Sequence, residues 1–88
     1  MAVGYKPVFI RQYNALDPAL QTEVREKIVL FKDRRNHRAL RVHKLKSRLR
    51  GRYAFSVNYR YRIVFMWFGR KRTEVVLLAI GDHRVYDE

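Results

Sequence analysis

The apolar positions of residues 20–31 recur at helical spacing. Successive members of the set are four, four and three positions apart, so they share one helix face. They are Leu20, Val24, Ile28 and Phe31. Asp17 is a favourable N-cap residue, and Pro18 fits the first helical position, where its missing N–H costs nothing. The pattern predicts a helix that begins after Asp17 and ends within residues 33–36.

The segments on either side of this helix have weaker patterns. Residues 5–11 are predicted to contain a short extended segment, with Pro7 at an edge or a strand start because proline cannot donate to a sheet ladder. Residues 11–16 are predicted to form a short helix. Residues 37–51 are predicted to form a helical turn followed by a loop, which Gly51 ends.

Beyond residue 52 the apolar period changes from helical to two, as in strands. Strands are expected at 53–57, 61–68 and 73–80, with turns at 58–60 and 69–72. The second strand is continuously apolar from Ile63, which is typical of a central strand covered on both faces. The sequence therefore predicts an α+β fold, in which an N-terminal strand and helices pack on an antiparallel β-sheet that ends in a three-strand meander.

The length and composition favour one small folded domain spanning residues 1–88. The chain has 88 residues, of which 48% are hydrophobic, and it contains no cysteine. Disulfides and thiolate metal sites are therefore excluded, which fits a reducing cytoplasm. No apolar run approaches the ~18 residues of a membrane span, and no signal peptide is recognisable. A soluble, non-exported protein with no membrane partner is expected.

Positive charge is the largest compositional signal, at a formal net charge of +12. Residues 32–62 hold 12 of the 20 lysines and arginines and a single acid, Asp33. Such a density repels itself unless an anion binds to it. Nucleic acid is the first candidate partner and an acidic protein is the second, and the two are compatible. A solvated basic face without a partner is the remaining interpretation.

A group of polar residues is expected at one end of the sheet. In an antiparallel pair the start of one strand lies beside the end of the other, so Arg60 and Arg62 should lie near Gly81, Asp82 and His83. An arginine here can bind a phosphate, or it can extend its stem along the sheet end. A histidine that titrates near neutrality can transfer a proton there, although a lone histidine is more often structural.

The same residues restrict the chemistry of any catalytic site. His37, His43 and His83 have no metal-site spacing, carboxylates are sparse, and there is no glycine-rich phosphate loop. The acids are too few for a two-metal nuclease. A nuclease on this chain would therefore need no metal or cofactor, and its substrate would supply the nucleophile. RNA does so through its 2′-OH, whereas DNA has none.

Three stretches resemble the RelE/ParE superfamily of toxins from type II toxin–antitoxin systems. They are LDPALQTEVREKI, HKLKSRLRGRYAFSVNYRYRIVF and LLAIGDHRVYDE. The last two are closest to the YafQ/YoeB-like mRNA interferase branch. The resemblance implies a compact α+β toxin that cleaves mRNA on the ribosome without a metal, by attack of a 2′-OH on the adjacent phosphate. It places the protein in a bacterial or archaeal cytoplasm with a cognate acidic antitoxin.

The resemblance also assigns roles to individual residues. His43 would be the general base, His83 the general acid, and Arg62 the phosphate-stabilising arginine, while Tyr86 would be the terminal aromatic of the site. The acid and the base could be exchanged. Residues expected to contact mRNA, rRNA or phosphate are Lys44, Lys46, Arg48, Arg50 and Arg60.

The chain departs from the family pattern in its first meander strand. Ala54 and Ser56 stand where relatives carry catalytic residues. The superfamily also contains ParE-like toxins, which inhibit DNA gyrase and are not enzymes. The alternative function is therefore a gyrase inhibitor of that kind, and a plain RNA-binding module is a third possibility.

Overall fold

Five strands and two helices make up the part of the chain that the structure describes, which is residues 1–46, 51–82 and 84–85 of this computed structural model. The elements in chain order are β1 (Ala2–Tyr5), α1 (Pro7–Asn14), α2 (Pro18–Phe31), β2 (His43–Lys44), β3 (Tyr53–Ser56), β4 (Arg62–Phe68) and β5 (Glu74–Gly81). A short 3-10 helix, Arg34–Asn36, follows α2.

The strands form one sheet in the order β1-β5-β4-β3-β2. Strands β3, β4 and β5 are the predicted antiparallel meander, and β2 adds to its outer edge. Strand β1 pairs in parallel with β5, with Ala2 opposite Glu74. The α+β class is therefore confirmed, and one parallel pair makes the sheet mixed. No helix among the described residues is long and apolar enough to cross a membrane.

Helix α2 begins as the sequence predicts. The Asp17 carboxylate accepts a hydrogen bond from the backbone N–H of Leu20 at 2.9 Å, and Pro18 occupies the first turn. The α-helix ends at Phe31, two residues before the predicted range of 33–36. Asp33 has an extended backbone and begins the separate 3-10 helix, Arg34–Asn36.

Replacing Asp17 by alanine is expected to lower the free energy of unfolding by about 1 kcal/mol, because an orphan N–H of α2 loses its acceptor. In a domain of this size that corresponds to a decrease in melting temperature of roughly 4–8 °C. Asp17→Asn keeps an acceptor and should remain close to the wild type. Calorimetry of both variants checks this, and equal losses would contradict the cap.

Two predictions for the weaker segments were wrong. The extended segment predicted within residues 5–11 lies earlier, as β1 (Ala2–Tyr5), and α1 begins at Pro7. The fixed φ of proline suits a first helical turn as well as a strand start, and burial of Phe9 favours the helix here. Residues 37–51 are not only turn and loop, since β2 lies within them. Two residues are too few to show an alternating pattern.

The sheet buries apolar residues on both faces. The larger cluster lies under the helices and includes Phe9, Phe31, Phe55 and Phe65. The other face, called the outer face below, carries a smaller cluster of Leu45, Ala54, Val64, Ala79 and Val85. Val85 comes from the segment after β5, so that segment folds back over the outer face. The continuous apolar run of β4 follows from this double coverage.

Candidate active site

The starts and ends of three strands meet at one end of the sheet. Arg62, the first residue of β4, lies opposite Gly81 of β5 and opposite Ser56 of β3. The predicted proximity of Arg62 to the end of β5 is therefore confirmed. Because Arg62 is two positions from Val64, its side chain leaves the sheet on the outer face.

A cleft of about 260 Å³ opens at this end of the sheet. It is bounded by α1, by the β3–β4 turn and by the end of β5 with the residues that follow it. The lining residues are Gln12, Arg60, Tyr61, Ile80, Gly81, Asp82, Arg84 and Val85. Two arginines and one aspartate are thus among the residues that line this cleft.

The β3–β4 turn is held by Asn58. Its side-chain oxygen accepts hydrogen bonds from the backbone N–H groups of Arg60 and Tyr61 at 2.9 and 2.8 Å. Its amide nitrogen donates to the Glu23 carboxylate of α2 at 2.7 Å. Helix α2 therefore fixes the turn that carries Arg60, whose guanidinium lies 5.6 Å from the centre of the Tyr61 ring.

Arg62 contacts the same turn from the sheet. Its half-buried guanidinium donates to the carbonyl oxygens of Asn58 at 2.5 Å and Tyr61 at 3.0 Å. It forms no ion pair within the described residues. Neutral backbone acceptors therefore hold the positive charge of Arg62 beside the cleft. A guanidinium has five N–H groups, so Arg62 can still donate hydrogen bonds to a ligand.

Asp82 and Arg84 form a local ion pair where the chain leaves β5. The two side chains are 3.0 Å apart, and Asp82 also accepts from the Arg84 backbone N–H. Hydrogen bonding to Asp82 raises the pKa of Arg84. The backbone N–H of Val85 donates to the Asp82 carbonyl at 2.9 Å, which forms the tight turn that brings Val85 to the outer face.

His43 lies on the outer face as well. It is exposed in β2 opposite Ala54, and its Nδ1 is 2.9 Å from the carbonyl oxygen of Arg41. It is two strands away from Arg62 and two positions along the sheet, so their Cα atoms are about 12 Å apart by sheet geometry. The structure brings the two residues to one surface without direct contact.

The other predicted site residues are distributed differently. Lys44 is opposite Tyr53 and therefore faces the helix side of the sheet, away from Arg62. Lys46 is exposed just beyond β2. The remaining predicted residues lie outside the described part of the chain, and they are Arg48, Arg50, His83 and Tyr86.

Two cleft residues were missed by the sequence reasoning. Gln12 accepts a hydrogen bond from the backbone N–H of Ile80 at 2.8 Å, which ties α1 to the end of β5 and leaves its amide N–H groups for other acceptors. No pattern in α1 identified it. Arg84 lies within the polar tail after Gly81. Its position two residues after Asp82 is the sequence feature that could have predicted the turn after β5.

Within residues 1–46, 51–82 and 84–85, no three histidine or acidic side chains cluster closely enough to hold a metal ion. The charged groups at the cleft are mainly arginines, which bind anions rather than cations.

The sequence matches no protein-family model, and no curated protein is significantly similar to it. Solved structures are similar in fold. YafQ from E. coli strain BL21(DE3) superimposes with a TM-score of 0.76 at 10% sequence identity, covering 94% of this chain and 93% of that one. The YoeB–YefM complex from Staphylococcus aureus gives a TM-score of 0.72 at 16% identity, covering 94% and 97%.

A third toxin has the same architecture. The YoeB/ParE toxin from Agrobacterium tumefaciens has a TM-score of 0.68 and 14% identity, covering 94% of this chain and 99% of that one. The chain has the RelE-like toxin fold. In this RelE-like fold the candidate cleft lies where the turn before β4 meets the end of β5. The shared architecture agrees with the resemblance of the three sequence stretches to the RelE/ParE superfamily.

Proposed function

We propose that this protein is the toxin of a toxin–antitoxin system and that it cleaves mRNA on the ribosome without a metal. The observation that carries the proposal is the end of the sheet, where Arg62 lies opposite Gly81, one of the residues that line the arginine-containing cleft. The RelE-like fold shared with YafQ and YoeB supports the toxin role.

The reaction uses the RNA's own nucleophile. The 2′-oxygen attacks the adjacent phosphorus, the bond to the 5′-oxygen breaks, and the products are a 2′,3′-cyclic phosphate and a free 5′-OH. His43 takes the 2′-OH proton as general base, and His83 gives a proton to the leaving oxygen as general acid. The two histidines can exchange these roles.

Arginines stabilise the charge that develops on the phosphate. Arg62 binds the nonbridging oxygens through the N–H groups that are not bonded to the carbonyls of Asn58 and Tyr61. Arg60 contributes a second positive charge from the held turn. The roughly 12 Å between the Cα atoms of His43 and Arg62 leaves room for a nucleotide between their side chains. Tyr86 orients the phosphate or stacks on a base.

An acidic antitoxin neutralises this toxin by covering its basic surface. Complementary charge favours rapid association of such partners. Solved structures with this fold include toxin–antitoxin complexes, among them RelBE from E. coli and RelE–RelB from Pyrococcus horikoshii OT3. The ribosome and its mRNA are the proposed targets, and the backbone contacts give affinity with little sequence choice.

Primer extension on a defined transcript in induced cells tests this function. Cuts within the reading frame are expected for the wild type, and they should disappear when the start codon is removed or when His83 is replaced by alanine. Arrested growth with an intact transcript would instead indicate a ParE-like gyrase inhibitor, and a gyrase supercoiling assay would then identify it.

A further inference from the structure

A second positively charged cleft lies at the opposite end of the sheet. We call it the far-end cleft, and its lining residues are Met1, Lys32, Arg34, Lys71 and Thr73. Its volume is about 320 Å³. It is bounded by the end of α2, the β4–β5 turn and the chain before β1, and the first two of these segments bring three cationic side chains to one place.

Among the described residues, no acidic side chain lines this cleft. The described residues form two ion pairs, Asp33 with Arg35 and Asp82 with Arg84, and neither includes Lys32, Arg34 or Lys71. Asp33 is adjacent in sequence, but Arg35 holds its carboxylate through several hydrogen bonds and lowers its pKa to about 2. The cleft cations therefore lack a carboxylate partner within the described chain.

Arg34 is positioned in advance of any ligand. Its guanidinium lies 5.0 Å from the centre of the Trp67 ring, and it donates a hydrogen bond to the backbone carbonyl of Arg72. Arg72 has a left-handed backbone with φ of 52°, which belongs to the β4–β5 turn that presents this carbonyl. An arginine fixed in this way loses less freedom when it binds an anion.

The positive surface continues from the cleft across aromatic rings. Trp67 contacts Tyr53 at 6.4 Å between centroids, and the Arg72 guanidinium lies 5.7 Å from the Tyr53 ring centre. Lys44 follows, because it pairs with Tyr53 across β2 and β3. Arginines and lysines interleaved with partly exposed aromatic rings are typical of nucleic-acid-binding surfaces.

The far-end cleft is separate from the cleft at the Arg62 end of the sheet. Strand β4 connects the two, with Arg62 at one end and Phe68 at the other. At about 3.3 Å per residue the ends are roughly 20 Å apart. One phosphate cannot contact both ends, so a ligand at the far-end cleft is either a distant part of a long RNA or a different molecule.

We propose that the far-end cleft binds the phosphate backbone of RNA and thereby anchors the protein while the distant active site acts. This inference rests on the proposed function for its choice of RNA over DNA. A protein ligand fits less well, since none of the large hydrophobic side chains that the described structure exposes lines the cleft. Protein interfaces depend on apolar and aromatic anchors at their centres.

Binding of a 20-base-pair RNA duplex to the full chain tests the inference. Trp67 is the single tryptophan of the sequence and contacts Arg34 of the far-end cleft, so its fluorescence reports on binding at Arg34. A saturable, salt-sensitive change in its emission is expected on adding the duplex. The dissociation constant is measured over a series of salt concentrations, because each phosphate contact adds about 0.7–0.9 to the logarithmic salt slope.

Two double variants with the same change in net charge provide the comparison. Lys32→Glu with Lys71→Glu reverses two cleft lysines, whereas Lys6→Glu with Arg11→Glu reverses two exposed cations, one at the N-cap of α1 and one in its last turn. The cleft variant should bind at least tenfold more weakly, with a salt slope reduced by about 1.5. The control should change affinity less than threefold and keep the slope.

Equal losses in the two double variants would overturn the inference, and so would a cleft variant that binds as the wild type does. Loss of antitoxin binding with unchanged duplex binding would show that the cleft binds an acidic protein instead. Lys32→Gln with Lys71→Gln serves where reversal prevents folding. Duplex binding requires no cleavage, so an inactive enzyme would disprove the proposed function while leaving this test valid.

Discussion

Replacing Arg62 by alanine should reduce mRNA cleavage by about 10²–10³-fold, the usual cost of one donor to a developing oxyanion. Induced cells should then grow. The guanidinium is held beside the cleft by two backbone carbonyls, so its position does not depend on the ligand. Arg62→Lys keeps the charge but loses the planar fork and should recover a small part of the activity.

The control for Arg62 must separate catalysis from stability, because the same guanidinium supports the β3–β4 turn. Asn58→Ala removes the side chain that caps this turn and contacts Glu23 but leaves the Asn58 carbonyl in place. It should lower the melting temperature while retaining most of the cleavage. If Asn58→Ala abolished cleavage as completely as Arg62→Ala, the role of Arg62 would be structural.

Replacing Phe31 by alanine should lower the free energy of unfolding by about 3–5 kcal/mol, which is typical of a fully buried phenylalanine. The ring is fully buried and stacks on Phe55 at 4.2 Å between centroids, with Phe65 and His37 each at 4.8 Å. A domain of this size has only about 5–15 kcal/mol of stability, so most of the margin would be lost.

Chemical denaturation of the purified protein measures this change. Val29→Ala is the matched control on the same helix, since Val29 is 66% exposed and its loss should change stability by less than about 0.5 kcal/mol. Phe31→Leu should give an intermediate value. A small loss for Phe31→Ala would mean that the neighbouring rings close the cavity, contrary to the packing described above.

Local chemistry made most of the fold predictable. The cap at Asp17 and the alternation after residue 52 specify α2 and the meander through interactions between near neighbours in sequence. The parallel pairing of β1 with β5 has no such local signal. Pro7 was ambiguous because its backbone angle suits both a helix start and an extended segment, and only the burial of Phe9 decides between them.

The candidate site was predictable where strand register determines it. A period of two and an antiparallel neighbour were enough to place Arg62 beside Gly81. The hydrogen bond of Gln12 to Ile80 and the contact of Arg34 with Trp67 join segments that are distant in sequence. The pattern of apolar and polar residues does not predict how such segments pack. Lys44 shows the converse: it is adjacent to His43 in sequence, yet the pleat directs it to the other face.

The pairing of β1 with β5 has a consequence for the order of folding. Ala2 and Glu74 are partners although 72 positions separate them in sequence. Contacts between residues so far apart in sequence form slowly, because closing the long loop between them costs conformational entropy before the contacts stabilise the chain. During synthesis β1 cannot pair until nearly the whole domain has been made, because its partner β5 is the last of the described strands in chain order. The meander can form from local hairpins, and β1 then joins β5 as a late step of folding.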